Sequence, residues 1–289
     1  MHAERALVFD CGGETLVGVV SVPGEADAAA ADTGVLIVVG GPQYRVGSHR
    51  QFVMLARFLA DHGVPCMRFD YRGMGDVSGE SRDFEAVSDD IEAAIAVFAR
   101  EVPRLRRVVL WGLCDGASAI CLSLGGNPLV AGAVLLNLWV RTAETQARTM
   151  LKHYYLQRLL DPGFWRKLLG GGVNLRGALG GVKEAAGAAA GAGGAPSDGE
   201  EPLPKRMLRG LLRFNLPVAV FLSGRDYVAR EFEQCVAGDT AWAAFMVSGR
   251  CQMRHFPEAD HTFSAVAQSE GVARATLEWV RGLGAKPCT

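Results

Sequence analysis

The 289-residue chain is 49% hydrophobic with a net charge of -1, which suits one large α/β core and gives no reason to expect a polyanionic partner. No basic stripe interleaves with aromatics, as in a nucleic-acid binder, and no run of about 18 apolar residues exists to span a bilayer. The seven cysteines, at positions 11, 66, 114, 121, 235, 251 and 288, lack CxxC and Cys/His metal-site spacing, so the expectation is a cytoplasmic protein without metal or cofactor.

Arg5 to Asp10 and Thr15 to Val22 read as short strands around the turn Gly12-Gly13. The N-terminus, Met1-His2-Ala3-Glu4-Arg5, lacks the basic-then-apolar pattern of a signal peptide. After a loop of Ala and Asp, the continuous apolar run Gly34 to Val39 reads as a buried central strand ending in Gly40-Gly41-Pro42. Ser48 is placed to cap a helix over His49 to His62, with Phe52, Leu55, Ala56 and Leu59 at helical spacing. Val64 to Tyr71 is the next strand, and Asp89 to Arg100 the next helix. Arg107 to Trp111 is a strand running into Gly112, Asp115 to Leu124 a helix, and Val130 to Leu138 a strand. This alternation predicts a mostly parallel sheet covered by helices on both faces.

The pattern breaks at Thr142. Residues 142–213 read as an inserted cap or lid, and residues 1–141 with 214–289 as the core. Thr142 to Leu169 is amphipathic and carries Tyr154, Tyr155, Phe164 and Trp165, while Gly170 to Gly199 is rich in Gly and Ala and reads as flexible. Leu216 to Leu222 resumes the strands, Arg254 to Pro257 is a last short strand, and Phe263 to Leu283 a closing helix.

Chemistry concentrates in Gly112-Leu113-Cys114-Asp115-Gly116, between a strand and a helix. A cysteine in an apolar run is ordinarily a small buried hydrophobe. Here the sharp turn needs the flanking glycines, lifts the sulfur above the strand's end and places it at a helix N-terminus, where the dipole favours thiolate. Such a nucleophile needs a base, and the base an orienter. Of the histidines after Cys114, His153 falls in the insertion and His255 in the last strand. His261 follows that strand in a loop, where a base can reach the nucleophile. Asp226, at the end of the strand Leu216 to Leu222, is the candidate orienter. Asp239 and Asp260 are rivals, and a helix cap is the alternative role for Asp226. The amide of Asp115 is one candidate oxyanion donor and that of Gln43 the second, with Gly41 behind it, because Pro42 has no N–H. Arg45, His49 and Arg50 are candidates to meet an anionic substrate group, or form a solvated basic turn. Tyr154, Tyr155 and Trp165 suit an acyl chain, or ordinary helix packing.

The strings GGPQ, DYRGMG, GLCDG, SGRD and ADH, in this order, resemble the α/β-hydrolase superfamily over nearly the whole chain. Cysteine at the nucleophile is similar to dienelactone hydrolases. The longer strings GGPQYRVGSHRQF, FDYRGMGD and GLCDGASA resemble the hydrolase 1 type associated with exosortase A systems. That resemblance implies a bacterial setting beside exopolysaccharide and protein-sorting genes, and a carrier or partner protein of such a system. The expected function is hydrolysis of an ester or thioester, a small-molecule acyl substrate, through Cys114, His261 and Asp226 and an acyl-thioester. Acyl transfer by the same residues, and a non-catalytic ligand- or protein-binding homologue, stay open.

Overall fold

Alternation sets up the first hairpin. In β1 (Ala3–Cys11) Leu7, Phe9 and Cys11 face the core while Val8 stays exposed. β1 pairs antiparallel with β2 (Glu14–Val22) across Gly12 and Gly13, whose φ values of 61° and 85° suit glycine. The strands β3 (Thr33–Val38), β4 (Cys66–Asp70), β5 (Arg107–Leu113), β6 (Val130–Leu136) and β7 (Val218–Ser223) are almost wholly buried; β8 (Cys251–Phe256) forms a more exposed edge. The eight strands run in the order β1-β2-β4-β3-β5-β6-β7-β8. β2 pairs antiparallel with β4, and every pair from β4 to β8 is parallel. This computed structural model describes residues 2–24, 32–41, 43–141 and 201–285.

Helices α1 (Gln51–Asp61) and α7 (Val266–Ala285) cover one face, where Phe52, Leu59 and Trp279 join Ile37, Trp111 and Val134 in one apolar cluster. On the other face Ile91 and Ile95 of α2 (Ser88–Glu101) lie by Leu110, and α3 (Asp115–Ser123) packs beside α2. The sheet is thus covered on both sides, as a run of buried parallel strands requires. α5 (Tyr227–Gly238) and α6 (Thr240–Met246) connect β7 to β8.

The start of α1 differs from the sequence expectation. Ser48 caps no α-helix; Ser48–Arg50 is a single tight turn in which His49 and Arg50 take left-handed φ of 54° and 61°. The α-helix begins only at Gln51, with no side-chain cap. Gly47 explains the turn: its φ is 75°, and a Cβ there would lie 2.7 Å from the Phe52 ring, so the chain pivots sharply into the helix.

Two compact units divide the chain: residues 1–140 with 206–289, which hold the sheet, and residues 141–205. Helix α4 (Leu203–Phe214) belongs to the sheet's unit from Arg206 onward, with Met207 and Leu211 fully buried. Most of the segment expected as a cap, with Tyr154, Tyr155, Trp165 and the Gly/Ala-rich stretch, lies outside the described residues. Among the described residues no helix is long and apolar enough to cross a membrane.

Candidate active site

β5 runs through Gly112 and Leu113, two residues past its apolar run, and Cys114 follows with φ 60° and ψ -125°. A side-chain-bearing residue holds such a backbone only when its surroundings enforce it. The Cys114 N–H donates to the Leu136 carbonyl (2.9 Å), and its carbonyl accepts from Ala117 (3.1 Å) and Ser118 (3.2 Å) amides. Space is equally strict. A Cβ at Gly112 would lie 2.7 Å from the Gly116 carbonyl oxygen, and one at Gly116 would lie 2.6 Å from that of Val38. Both glycines expected from the turn are therefore required by contact. Cys114 itself is half-buried and packs against the apolar cluster on the α1/α7 face.

Asp115 contributes more than a backbone amide. Its Oδ2 accepts from the Gly41 N–H at 2.7 Å, and its Oδ1 from the Gly116 N–H at 3.0 Å. The carboxylate thereby ties the loop after β3 to the turn at Cys114. Gly40 passes so close that a Cβ would lie 2.1 Å from Asp115 Oδ1. Burial pushes the Asp115 carboxyl above its usual range, against the opposing pull of the two amides. The Gly41 amide is consequently committed inside the protein, which corrects its candidacy as a substrate or oxyanion contact. The Gln43 side chain accepts from the Ser48 amide at 3.3 Å, anchoring the loop that carries the expected second donor.

Asp226 and His261 meet as the sequence order suggested. His261 Nδ1 lies 2.8 Å from Asp226 Oδ2. A carboxylate only accepts, so Nδ1 carries the proton and Nε2 is left as the basic nitrogen. Asp226 is also the N-cap of α5, accepting from Val228 (3.1 Å) and Ala229 (3.2 Å) amides. One side chain thus makes both the helix-cap hydrogen bonds and the contact with His261. The rivals are engaged elsewhere. Asp239 caps α6 through the Ala241 and Trp242 amides. Asp260 accepts from the Ser264 amide and hydroxyl. His255 sits exposed on β8 with Glu233 at 3.7 Å.

A buried clasp that sequence reasoning missed holds the histidine loop. Asn137 directly follows β6, with φ 44° and no exposure. Its Nδ2 donates to the His261 carbonyl (3.0 Å) and the Ser223 hydroxyl oxygen (2.9 Å), while its Oδ1 accepts from the Ser223 amide (2.9 Å). The Ser223 hydroxyl in turn donates to the Asp260 carbonyl at 2.9 Å. Its only sequence signal is an amide side chain closing the apolar run Val134-Leu135-Leu136. The clasp also relates the two candidate reactive groups: Cys114 is bonded to Leu136, and His261 to the next residue, Asn137.

Arg45 is corrected. Its guanidinium pairs with the fully buried Asp70 and, at 2.6 Å, with Asp76, and its amide donates to Asp70 at 2.5 Å. Burial alone would pull its pKa down, and the two carboxylates more than reverse that. Its charge is spent within the fold and is not presented to an anionic substrate. His49 is exposed, in the strained turn before α1.

Comparison with known proteins agrees with this architecture. The Alpha/beta hydrolase family model matches residues 35–275, most of the chain. Similar solved structures include the esterase Pf2001 of Pyrococcus furiosus (TM-score 0.64, 14% identity, 97% of this chain and 92% of that one). Est1E of Butyrivibrio proteoclasticus with ferulic acid bound is also similar (0.65, 16%, 97% and 100%). Among curated relatives, the polyketide transferase grgF of a Penicillium species is 29% identical over 85 residues, covering 28% of this chain and 29% of that protein. The quorum-quenching protein AidA of Acinetobacter baumannii is 34% identical over 83 residues, covering 27% of each. The matched stretch thus spans under a third of either curated relative. With the sheet order, the strained turn and a match over most of its length, the chain belongs to the alpha/beta hydrolase family.

Proposed function

We propose that the protein cleaves an ester or thioester with Cys114 as nucleophile. The observation that carries this reading is the attachment of the Cys114 turn and the His261 loop to consecutive residues, Leu136 and Asn137, with Asp226 fixing the imidazole tautomer. His261 Nε2 takes the thiol proton as sulfur bonds to the carbonyl carbon. The amides of Asp115 and Gln43 receive the oxyanion. Collapse of the tetrahedral species breaks the bond to the alcohol or thiol leaving group, which takes the proton from His261. Water, deprotonated by the same nitrogen, then attacks the acyl-thioester, releasing the acid and restoring the thiol.

The test is intact mass after incubation with a panel of simple acyl esters and thioesters. An acyl adduct should appear, map to Cys114 and be absent from Cys114→Ala and His261→Ala. The background is favourable, because burial pushes the Cys235 and Cys251 thiols up to about 11 and those of Cys11, Cys66 and Cys121 upward as well. An adduct distributed over other cysteines, or unchanged in His261→Ala, sinks the reading. Transfer of the acyl group to an alcohol or amine is the second reading, favoured by the similarity to a polyketide transferase. Partition of a preformed adduct between water and an added amine separates the two.

A further inference from the structure

A cavity of about 470 Å³ lies between α1 and α7, against residues 262–264. Its walls come from the segments that carry the candidate site. Trp111 stands three residues before Cys114, the Leu136 carbonyl accepts the Cys114 amide, Thr262 follows His261, and His49 belongs to the loop that carries Gln43. Its lining is largely apolar: Leu55, Phe58, Phe263, Val272 and Ala273 join Trp111 and Leu136. Cys114 packs against the cluster to which most of these side chains belong. Met54 and Val266 add exposed apolar surface, 52% and 72% accessible, among the same lining residues. The polar part of the lining is His49 and Arg50 from the strained turn, Gln51, Glu270 and the hydroxyls of Thr262, Ser264 and Ser269. A space within the usual range of about 300–1,000 Å³ with a mainly apolar surface and polar groups among its lining suits a ligand with both a hydrocarbon and a polar part. Strained backbone beside it is where ligand sites concentrate.

We infer that this cavity receives the hydrocarbon part of the substrate's acyl group, so that the enzyme prefers medium-length acyl chains to acetyl. The inference rests on the acyl-enzyme reading and names its substrate class. Ala273 is the residue whose enlargement fills the space, being small, buried and on its wall. Met54, largely exposed, offers a second substitution with little demand on the core.

The experiment measures kcat/KM for p-nitrophenyl acetate, butyrate and octanoate with wild type, Ala273→Phe and Met54→Trp. The octanoate-to-acetate ratio should exceed one in the wild type. It should fall about tenfold or more in Ala273→Phe, the equivalent of two or more excluded methylenes, and fall less in Met54→Trp. A second arm needs no turnover: octanoate should displace 1-anilinonaphthalene-8-sulfonate from wild type and not from Ala273→Phe. Unchanged ratios in both variants, or octanoate displacement that is absent from wild type or equal in Ala273→Phe, overturn the inference. Failure of every ester to acylate Cys114 sinks the acyl-enzyme reading instead, and the displacement arm then decides the cavity by itself.

Discussion

Asp226 is a carboxylate with two obligations, one to the α5 amides and one to His261. They separate by substitution. Asparagine caps a helix about as well as aspartate, but it removes the charge that fixes and stabilises the imidazole. Asp226→Asn should therefore lower kcat/KM for an accepted ester by about 10²- to 10⁴-fold, with a melting temperature within a few degrees of wild type. Asp226→Ala should lose activity and also about 1 kcal/mol of stability. Full activity in the asparagine variant would show that Asp226 only caps. At this scale the contact between Asp226 and His261 was readable in the order of the chain, because Asp226 follows the apolar run of β7 and His261 lies in the loop after β8. Arg45 was misread, because nothing local in Gly40-Gly41-Pro42-Gln43-Tyr44-Arg45 reveals that Asp70 and Asp76 neutralise it.

At the scale of elements, the ends of β6 and β7 are bound to the histidine loop by Asn137 and Ser223. The network is buried and each of these groups has a partner, so truncation leaves the Ser223 amide and the His261 carbonyl without the Asn137 side chain that pairs with them. Asn137→Ala should cost about 2–4 kcal/mol, read as a lower urea midpoint at unchanged slope, and should slow acylation of Cys114. A loss under about 1 kcal/mol would mean that the loop is held by its other contacts. The turn at Cys114 was legible at this scale because Gly112 and Gly116 are demanded by sterics within a few residues. The late start of α1 was not: helical spacing in Phe52, Leu55, Ala56 and Leu59 says nothing of the pivot that Gly47 makes against Phe52.

For the whole molecule, Glu4 joins the edge strand β1 to α1 and β4. Its carboxylate accepts from Arg57 (2.6 Å) and Arg68 (2.9 Å), and from the Ser21 hydroxyl at 3.1 Å. Burial alone would push its pKa up; the three hydrogen bonds outweigh that and lower it from 4.5 to about 2. A folded-state pKa below the unfolded one adds stability that is present above 4.5 and is lost as pH falls toward 2. Glu4→Gln should then be less stable than wild type at neutral pH by about 2 kcal/mol, allowing for solvent screening. Melting curves of the two proteins should converge between pH 4.5 and 2. A gap that persists at the acid end would assign the loss to packing.

The sequence by itself determined the alternation of strands and helices, the glycine-flanked turn and the order in which Cys114, Asp226 and His261 follow strands of the sheet. These are written in local sterics and in the periodicity of apolar residues, which act over a few positions. The tertiary structure alone decided which polar groups are already spoken for. Asp115 takes the Gly41 amide across 74 positions, and Asn137 takes the His261 carbonyl across 124. Such pairings depend on which strand ends the sheet order brings side by side, and that is settled only when the strands are packed.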